Sequence, residues 1–182
     1  LRFFGGFDFD PADAKAPTLA TTGYARGVPM GGELKAAPAG KAPTFLFAAM
    51  KDPQGANLDS IQIVKGWVDA NGETHERIFN VAWSERDKRQ EHNGKLTPVG
   101  NTVDLTTATY ANSIGAPELI GSFTDPEFAP TLRAFYYARV VEIPTPRWTA
   151  YDAVKFKVKM GPEVAMIHQE RAVTSPIWYN PN

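Results

Sequence analysis

Ser60-Ile61-Gln62-Ile63-Val64-Lys65-Gly66-Trp67-Val68, then Asp69-Ala70-Asn71-Gly72, then Glu73-Thr74-His75-Glu76-Arg77-Ile78-Phe79-Asn80-Val81-Ala82-Trp83, is the stretch that decides the fold. Both arms are rich in β-branched and aromatic residues, and Asn-Gly between them marks a tight reversal, so the segment reads as a β-hairpin. The turn fixes the register. A two-residue Asn-Gly turn would set Ile63 against Asn80. A three-residue loop with Gly72 in the left-handed region sets Ile61 against Val81 and Ile63 against Phe79. The second register is expected, although it places Lys65 opposite Arg77.

The flanking sequence extends the β pattern. Leu1 to Phe9 reads as a strand in which Phe7 and Phe9 alternate with Asp8 and Asp10. Residues 11–42 form a Pro/Gly/Ala-rich connection containing Gly27-Val28-Pro29-Met30-Gly31-Gly32, of a length usually tied to function or to packing on another segment. Pro43 to Met50 is a short apolar run that fits a buried strand. Residues 84–98 are charged and read as a solvated excursion. Thr102 to Tyr110 is β-branched and strand-like, and Ala111 to Gly121 suits a short helical turn. Ala134 to Ile143 is a strong strand stopped by Pro144 and Pro146. Thr149 to Phe156 suits a short helix with Thr149 as N-cap and Asp152 three positions on. Val173 to Tyr179 closes the sheet.

About seven strands with long connections and one or two short helices predict an all-β chain. The expected architecture is an antiparallel β-sandwich of the immunoglobulin or fibronectin kind, a single domain over residues 1–182. The run from Pro130 into Ala134-Phe135-Tyr136-Tyr137 resembles the start of a penultimate sandwich strand. Tyr136 or Tyr137 is then a candidate tyrosine corner with its hydroxyl on upstream backbone. The alternative is two aromatics facing opposite sides of a sheet.

Composition narrows the function classes. An apolar fraction of 43% in 182 residues supports a real core. Nineteen basic against twenty acidic residues give a net charge of −1, without the electrostatic footprint that nucleic acid or an anionic membrane requires. No apolar run approaches the ~20 residues of a membrane span. The absence of cysteine removes disulfides, thiolate metal sites and a cysteine nucleophile, and fits a periplasmic or secreted protein.

Few residues suggest chemistry. His75, His92 and His168 lie in no spacing that would place two imidazoles on one metal, and each reads more simply as a surface histidine. Asp8, Asp10 and Asp13 are the metal candidates, since clustered aspartates supply the oxygens that calcium wants. They lack the glycine and distal glutamate of a calcium loop, and on a strand Asp8 and Asp10 simply share the solvent face. No G-x-S-x-G elbow is present. The four tryptophans, Trp67, Trp83, Trp148 and Trp178, fit a sandwich core better than a carbohydrate-binding face. Trp148 stands apart, beside Arg147 and away from the regular strands.

Several stretches in colinear order carry a family resemblance: Arg2-Phe3-Phe4-Gly5-Gly6, Gly27-Val28-Pro29-Met30-Gly31-Gly32, Lys51-Asp52-Pro53, Gly55-Ala56-Asn57-Leu58-Asp59, and Ile61 to Trp67. The series continues with Val99-Gly100-Asn101-Thr102-Val103-Asp104, Ile143-Pro144-Thr145-Pro146-Arg147-Trp148, Gln169-Glu170-Arg171, and Thr174-Ser175-Pro176-Ile177-Trp178-Tyr179. Together they resemble the C-terminal part of the bacterial family called domain of unknown function 3604. The resemblance implies a longer protein whose N-terminal portion is similar to metal-dependent hydrolases of the polymerase-and-histidinol-phosphatase superfamily. Any divalent metal is then expected upstream of Leu1. No cofactor and no catalytic residue is carried over to this chain, because none of those ligand motifs occurs in it.

The expected role is therefore a non-catalytic accessory domain whose partner is that missing N-terminal domain. Asn101, Arg147, Trp148, Asp152, Gln169, Glu170 and Arg171 are the residues expected at the domain interface or facing a ligand, with Arg147 and Arg171 suited to fork onto carboxylates. An interface patch left bare would also favour self-association. The alternative role is an independent binding module for a carbohydrate or other cell-envelope ligand, which expects Trp67 or Trp148 to be exposed.

Overall fold

The arms on either side of Asn71-Gly72 become the two longest strands of a β-rich fold. The computed structural model describes residues 1–15 and 17–182. In chain order its elements begin with β1 (Arg2–Gly6), α1 (Pro11–Lys15), α2 (Leu19–Arg26), β2 (Val28–Pro29), β3 (Glu33–Leu34) and β4 (Thr44–Met50). The hairpin follows as β5 (Leu58–Val68) and β6 (Thr74–Trp83), then β7 (Glu91–His92), β8 (Lys95–Leu96), β9 (Glu118–Thr124) and β10 (Ala134–Glu142). The chain closes with β11 (Thr145–Pro146), α3 (Trp148–Phe156), β12 (Ile167–His168), β13 (Arg171–Val173) and β14 (Ile177–Tyr179).

The hairpin adopts the three-residue loop. Gly72 has φ +86°, a region that costs glycine nothing, and Ile63 lies opposite Phe79. Asp69 locks the turn. Its Oδ1 accepts from the backbone N–H of Asn71 and Glu73 (2.8 and 3.0 Å). A hydrogen bond from His75 holds the same carboxyl below its ordinary range. One expected pair shifts: a bulge between Ile61 and Gln62 leaves Val81 as the extra residue, so Ile61 faces Ala82.

Two sheets share one core. The smaller runs β2-β1-β4-β9, and the larger runs β3-β14-β10-β5-β6 with β13 also on β10. Phe3, Phe45, Phe47 and Leu119 of the first meet Ile61, Ile63, Tyr136, Val140 and Ile177 of the second. The Phe45 and Tyr136 rings lie 4.6 Å apart. Each such large side chain contributes about 1.5–3 kcal/mol by burial. The other face of the smaller sheet is covered too: Phe4 and Leu46 pack there with Phe9, which precedes α1, and with Ala14 of α1 and Leu19 of α2.

Several sequence expectations are corrected. Residues 11–42 are not a bare connection; apart from residue 16, which lies outside the described residues, they hold α1, α2, β2 and β3. Their Gly27–Gly32 motif ties the two ends of the chain together, with Met30 N donating to Phe3 O, Gly31 N to Pro176 O, and Trp178 N to Gly32 O. Thr102 to Tyr110 is no strand but a set of turns closed by an Asp104–Thr109 bridge. There the threonine hydroxyls bond locally, Thr106 to Asp104 and Thr107 to Thr109, instead of pairing along a ladder. Residues 111–121 contain no helical turn; Glu118 to Thr124 pair with β4 along its length. The closing strand is two, interrupted where Thr174 bonds the backbone of Ala138 and Pro176 cannot donate. Helix α3 starts one residue early, so Thr149 is no N-cap; its hydroxyl donates to Ala165 O at 2.5 Å.

The like-charge pair of the hairpin is settled by one loop. Lys65 points into the core face of β5, where its Nζ donates to Asp125 Oδ2 at 2.6 Å and to Glu127 O at 2.7 Å. Arg77 opposite takes the Glu127 carboxylate at 3.4 Å. The Tyr136 hydroxyl donates to the same Asp125 oxygen at 2.7 Å, so it is no tyrosine corner. Burial, then the Asp125 charge, pushes the Tyr136 hydroxyl far above its ordinary range. A folded pKa above the unfolded one means that folding is favoured by the protonated form. Stability should therefore fall as pH rises past about 10, by up to about 1.4 kcal/mol per pH unit from this group. Denaturation followed against pH should show that Tyr136→Phe removes this part of the slope.

Candidate functional site

Three surface features gather the residues that could act. The first is α3. A β11–β12 pairing, Thr145 with His168 and Pro146 with Ile167, holds the chain from which the helix projects. Arg147 N donates to Met166 O at 2.9 Å, which fixes the helix entry. Only Thr149 and Ala150 of the helix are buried. Trp148 is 62% exposed and Phe156 61%, with Tyr151, Val154 and Val158 also open to solvent. An isolated exposed leucine means little, but five neighbouring large apolar residues on one projecting segment do.

The second feature is a polar depression of about 520 Å³ at one end of the larger sheet, lined by Asp59, Gln62, Asn80, Arg89, Lys95, Arg139, Gln169 and Arg171, among others. Its floor is organised by buried charge. Arg89 Nη2 meets Asp59 Oδ1 at 2.6 Å, with the two side chains only 4% and 13% exposed. The remaining Arg89 donors reach Thr97 O, Ser84 O, Ser84 Oγ and Asp59 O. Residues 84–98 are largely exposed, as expected of a solvated excursion, and Arg89 pins them at their middle. Gln169 Nε2 donates to Asp59 Oδ2 (3.0 Å) and Glu142 O (2.8 Å). Burial and then Glu170 raise the Glu142 carboxyl above its ordinary range.

The third feature lies on the same outer face of the larger sheet, toward its other end. It is a groove of about 860 Å³ lined by Gly66, Trp67, Phe135 and Trp178, with Thr74, Glu76, Glu33 and Arg133 at its edges. Phe135 lies directly across from Gly66, and a Cβ there would come within 2.3 Å of the Phe135 ring. The glycine lets the ring lie flat over the sheet. Phe135 is followed by Tyr137, rings nearly parallel at 6.5 Å, and flanked by Trp178 at 5.5 Å.

The expected interface residues are thus separated. Gln169 and Arg171 line the polar depression, whereas Arg147, Trp148 and Asp152 belong to the α3 projection. Glu170 turns outward, where its carboxylate meets His168 at 3.3 Å. Asn101 lines neither feature and accepts the Val103 N–H in a local turn. The three aspartates have other partners. Asp10 Oδ1 accepts from Ala12 N and Asp13 Oδ2 from Asp10 N, a reciprocal cap on α1. Asp13 also pairs with Arg26, and Asp8 with Lys41. Among the described residues no group of three or more His, Cys, Asp or Glu converges as a metal set would require.

The sequence reading does not single out Phe135, Arg139, Lys95, Gln62 or Asn80 as candidate site residues. For Phe135 and Arg139 the signal is the period-two alternation of β10, which puts Phe135, Tyr137 and Arg139 on the face away from the core.

The sequence profile of a family described as "Protein of unknown function (DUF3604)" matches residues 1–181, and the chain belongs to that family. No curated protein and no solved structure matches it. Among the described residues, no helix is long and apolar enough to cross a membrane.

Proposed function

We propose that this chain is a non-catalytic accessory domain of a larger polypeptide, presenting α3 to the rest of that polypeptide. The exposed aromatic and aliphatic face of α3 carries the reading, since such a patch is costly to leave in water and is typical of an interaction surface. In the same reading the two sheets form one immunoglobulin- or fibronectin-like sandwich over residues 1–182, in a periplasmic or secreted protein. The resemblance implies that the upstream part is a metal-dependent hydrolase. The aspartates of this chain are engaged by a helix cap and by Arg26 and Lys41, which supports placing that metal upstream.

Amide hydrogen exchange tests the proposal on the 182-residue chain and on the full gene product. The amides of α3 should exchange at least about tenfold more slowly in the full product, because docking removes local opening. Equal exchange of α3 in the two would sink the proposal.

A second reading, a binding module for a carbohydrate or other envelope ligand, draws support from the outer face of the larger sheet. Trp178 is 51% exposed there, and Val68 and Ile78 on other strands of that face are open as well. Trp148, the other tryptophan this reading expected in solvent, is exposed on α3, whereas Trp67 is half-buried and stacked on His75.

A further inference from the structure

The aromatic groove and the polar depression are two ends of one surface. Cross-strand pairing puts Phe135 with Gly66, Tyr137 with Val64 and Ile78, and Arg139 with Gln62 on the same outer face. From Phe135 to Arg139 is four residues of strand, roughly 13 Å. Among the described residues no helix covers this face as α1 and α2 cover the smaller sheet: Val68, Ile78, Val173 and Trp178 are all exposed.

Charge along this strip is asymmetric. At the polar end Lys95, Arg139 and Arg171 have no carboxylate partner among the described residues, whereas the one acid of the depression, Asp59, is already held by Arg89 and Gln169. The cations are also positioned. Arg139 Nε donates to Gln62 Oε1 (2.9 Å), Gln62 Nε2 to Asn80 Oδ1 (2.8 Å), and Asn80 Nδ2 to Gly94 O (3.2 Å). That chain leaves the outer nitrogens of Arg139 free and fixes the backbone next to Lys95. Arg171 reaches the same face from β13, where its backbone pairs with Val141. At the aromatic end the rim carries Glu33, Glu76, Arg133, Thr74 and Asn180, a mixed set suited to hydroxyl groups in which Glu33 is already paired with Lys35.

We infer that this open face binds an acidic oligosaccharide, its sugar rings stacked on Trp178, Phe135 and Tyr137 and its acidic substituent held by Arg139, Arg171 and Lys95. The inference deepens the binding-module reading and rests on it. Flat aromatic rings take the C–H faces of a pyranose, the polar rim takes its hydroxyls, and guanidinium forks take a carboxylate or a sulfate ester. The cation excess at one end and the aromatic rings at the other set the direction of the ligand.

Calorimetric titration of the chain with hexagalacturonate, a chondroitin sulfate hexasaccharide and neutral maltohexaose tests this. At least one acidic ligand should bind roughly tenfold or more tightly than the neutral one, with affinity falling as salt is raised. Which acidic ligand wins identifies the group as carboxylate or sulfate. Arg171→Gln, on an exposed side chain, should weaken acidic binding roughly fivefold and leave neutral binding unchanged. Trp178→Ala should weaken both roughly tenfold. Equal affinity for acidic and neutral ligands, still dependent on Trp178, would overturn the acidic preference and leave the binding-module reading standing. Binding of none of them would overturn both. An acidic peptide or single-stranded oligonucleotide that binds as tightly would overturn the saccharide assignment.

Discussion

Asp125→Ala is expected to cost the chain about 3–5 kcal/mol, a large share of the ~5–15 kcal/mol by which a domain is ordinarily stable. Asp125 is 1% exposed and Lys65 4%, so neither charge can fall back on water. Without the carboxylate, the Lys65 ammonium keeps only the Glu127 carbonyl, and the Tyr136 hydroxyl loses its acceptor. The contact also joins the two sheets, because Lys65 and Tyr136 stand on β5 and β10 while Asp125 directly follows β9. Urea denaturation should show a lower midpoint with an unchanged slope. The triple variant Lys65→Met, Asp125→Val, Tyr136→Phe should recover most of the loss, since a satisfied buried pair contributes little beyond a well-packed apolar replacement. If the single and triple variants are equally destabilised, shape rather than charge holds this site.

Much of the β framework was legible because local signals agreed with the tertiary outcome. Asn71-Gly72 fixed a register that long-range pairing had no reason to override, and the Ala134–Ile143 run ended at its prolines as strands do. What failed was decided elsewhere in the chain. Thr102–Tyr110 has strand composition, yet its hydroxyls found local partners and no neighbouring strand offered a ladder. Glu118–Thr124 looks weak as a strand, with Gly121 in its middle, but β4 supplies the ladder and the Phe47 ring lies over the glycine. The sites were less legible than the fold for the same reason. Lys65 falls in phase with Ile61, Ile63 and Trp67, so alternation alone says that a cation sits on the core face and needs an acid. Which acid cannot be read locally, because Asp125 lies 60 positions away. Gln169 and Arg171 could be singled out from the tail motif, but Arg139, Gln62 and Lys95 join them only once three strands and a loop are laid side by side.

Arg89→Ala should be the second severe variant, about 3–5 kcal/mol, and it should act on the candidate site as well as on stability. The guanidinium has five contacts and almost no solvent, so its loss leaves Asp59 buried with one amide donor from Gln169 and leaves the carbonyls of Ser84 and Thr97 unmatched. Those carbonyls bracket the segment that contains the β7–β8 pair, and Gly94 in that segment is what orients Asn80. Loosening it should therefore unfix Lys95 and the Asn80–Gln62–Arg139 chain together. Hydrogen exchange across residues 90–97 should accelerate even under conditions where the sheet core remains protected. Arg89→Lys should recover only part of the loss, because an ammonium cannot span Asp59, Ser84 and Thr97 at once. The exposed Lys88, whose pairing with Glu85 is solvent-facing, is the internal control: Lys88→Ala should leave the denaturation midpoint essentially unchanged. Equal effects at positions 88 and 89 would mean that the loop is not anchored through Asp59, and that the basic end of the sheet is not the preorganised surface its hydrogen bonds describe.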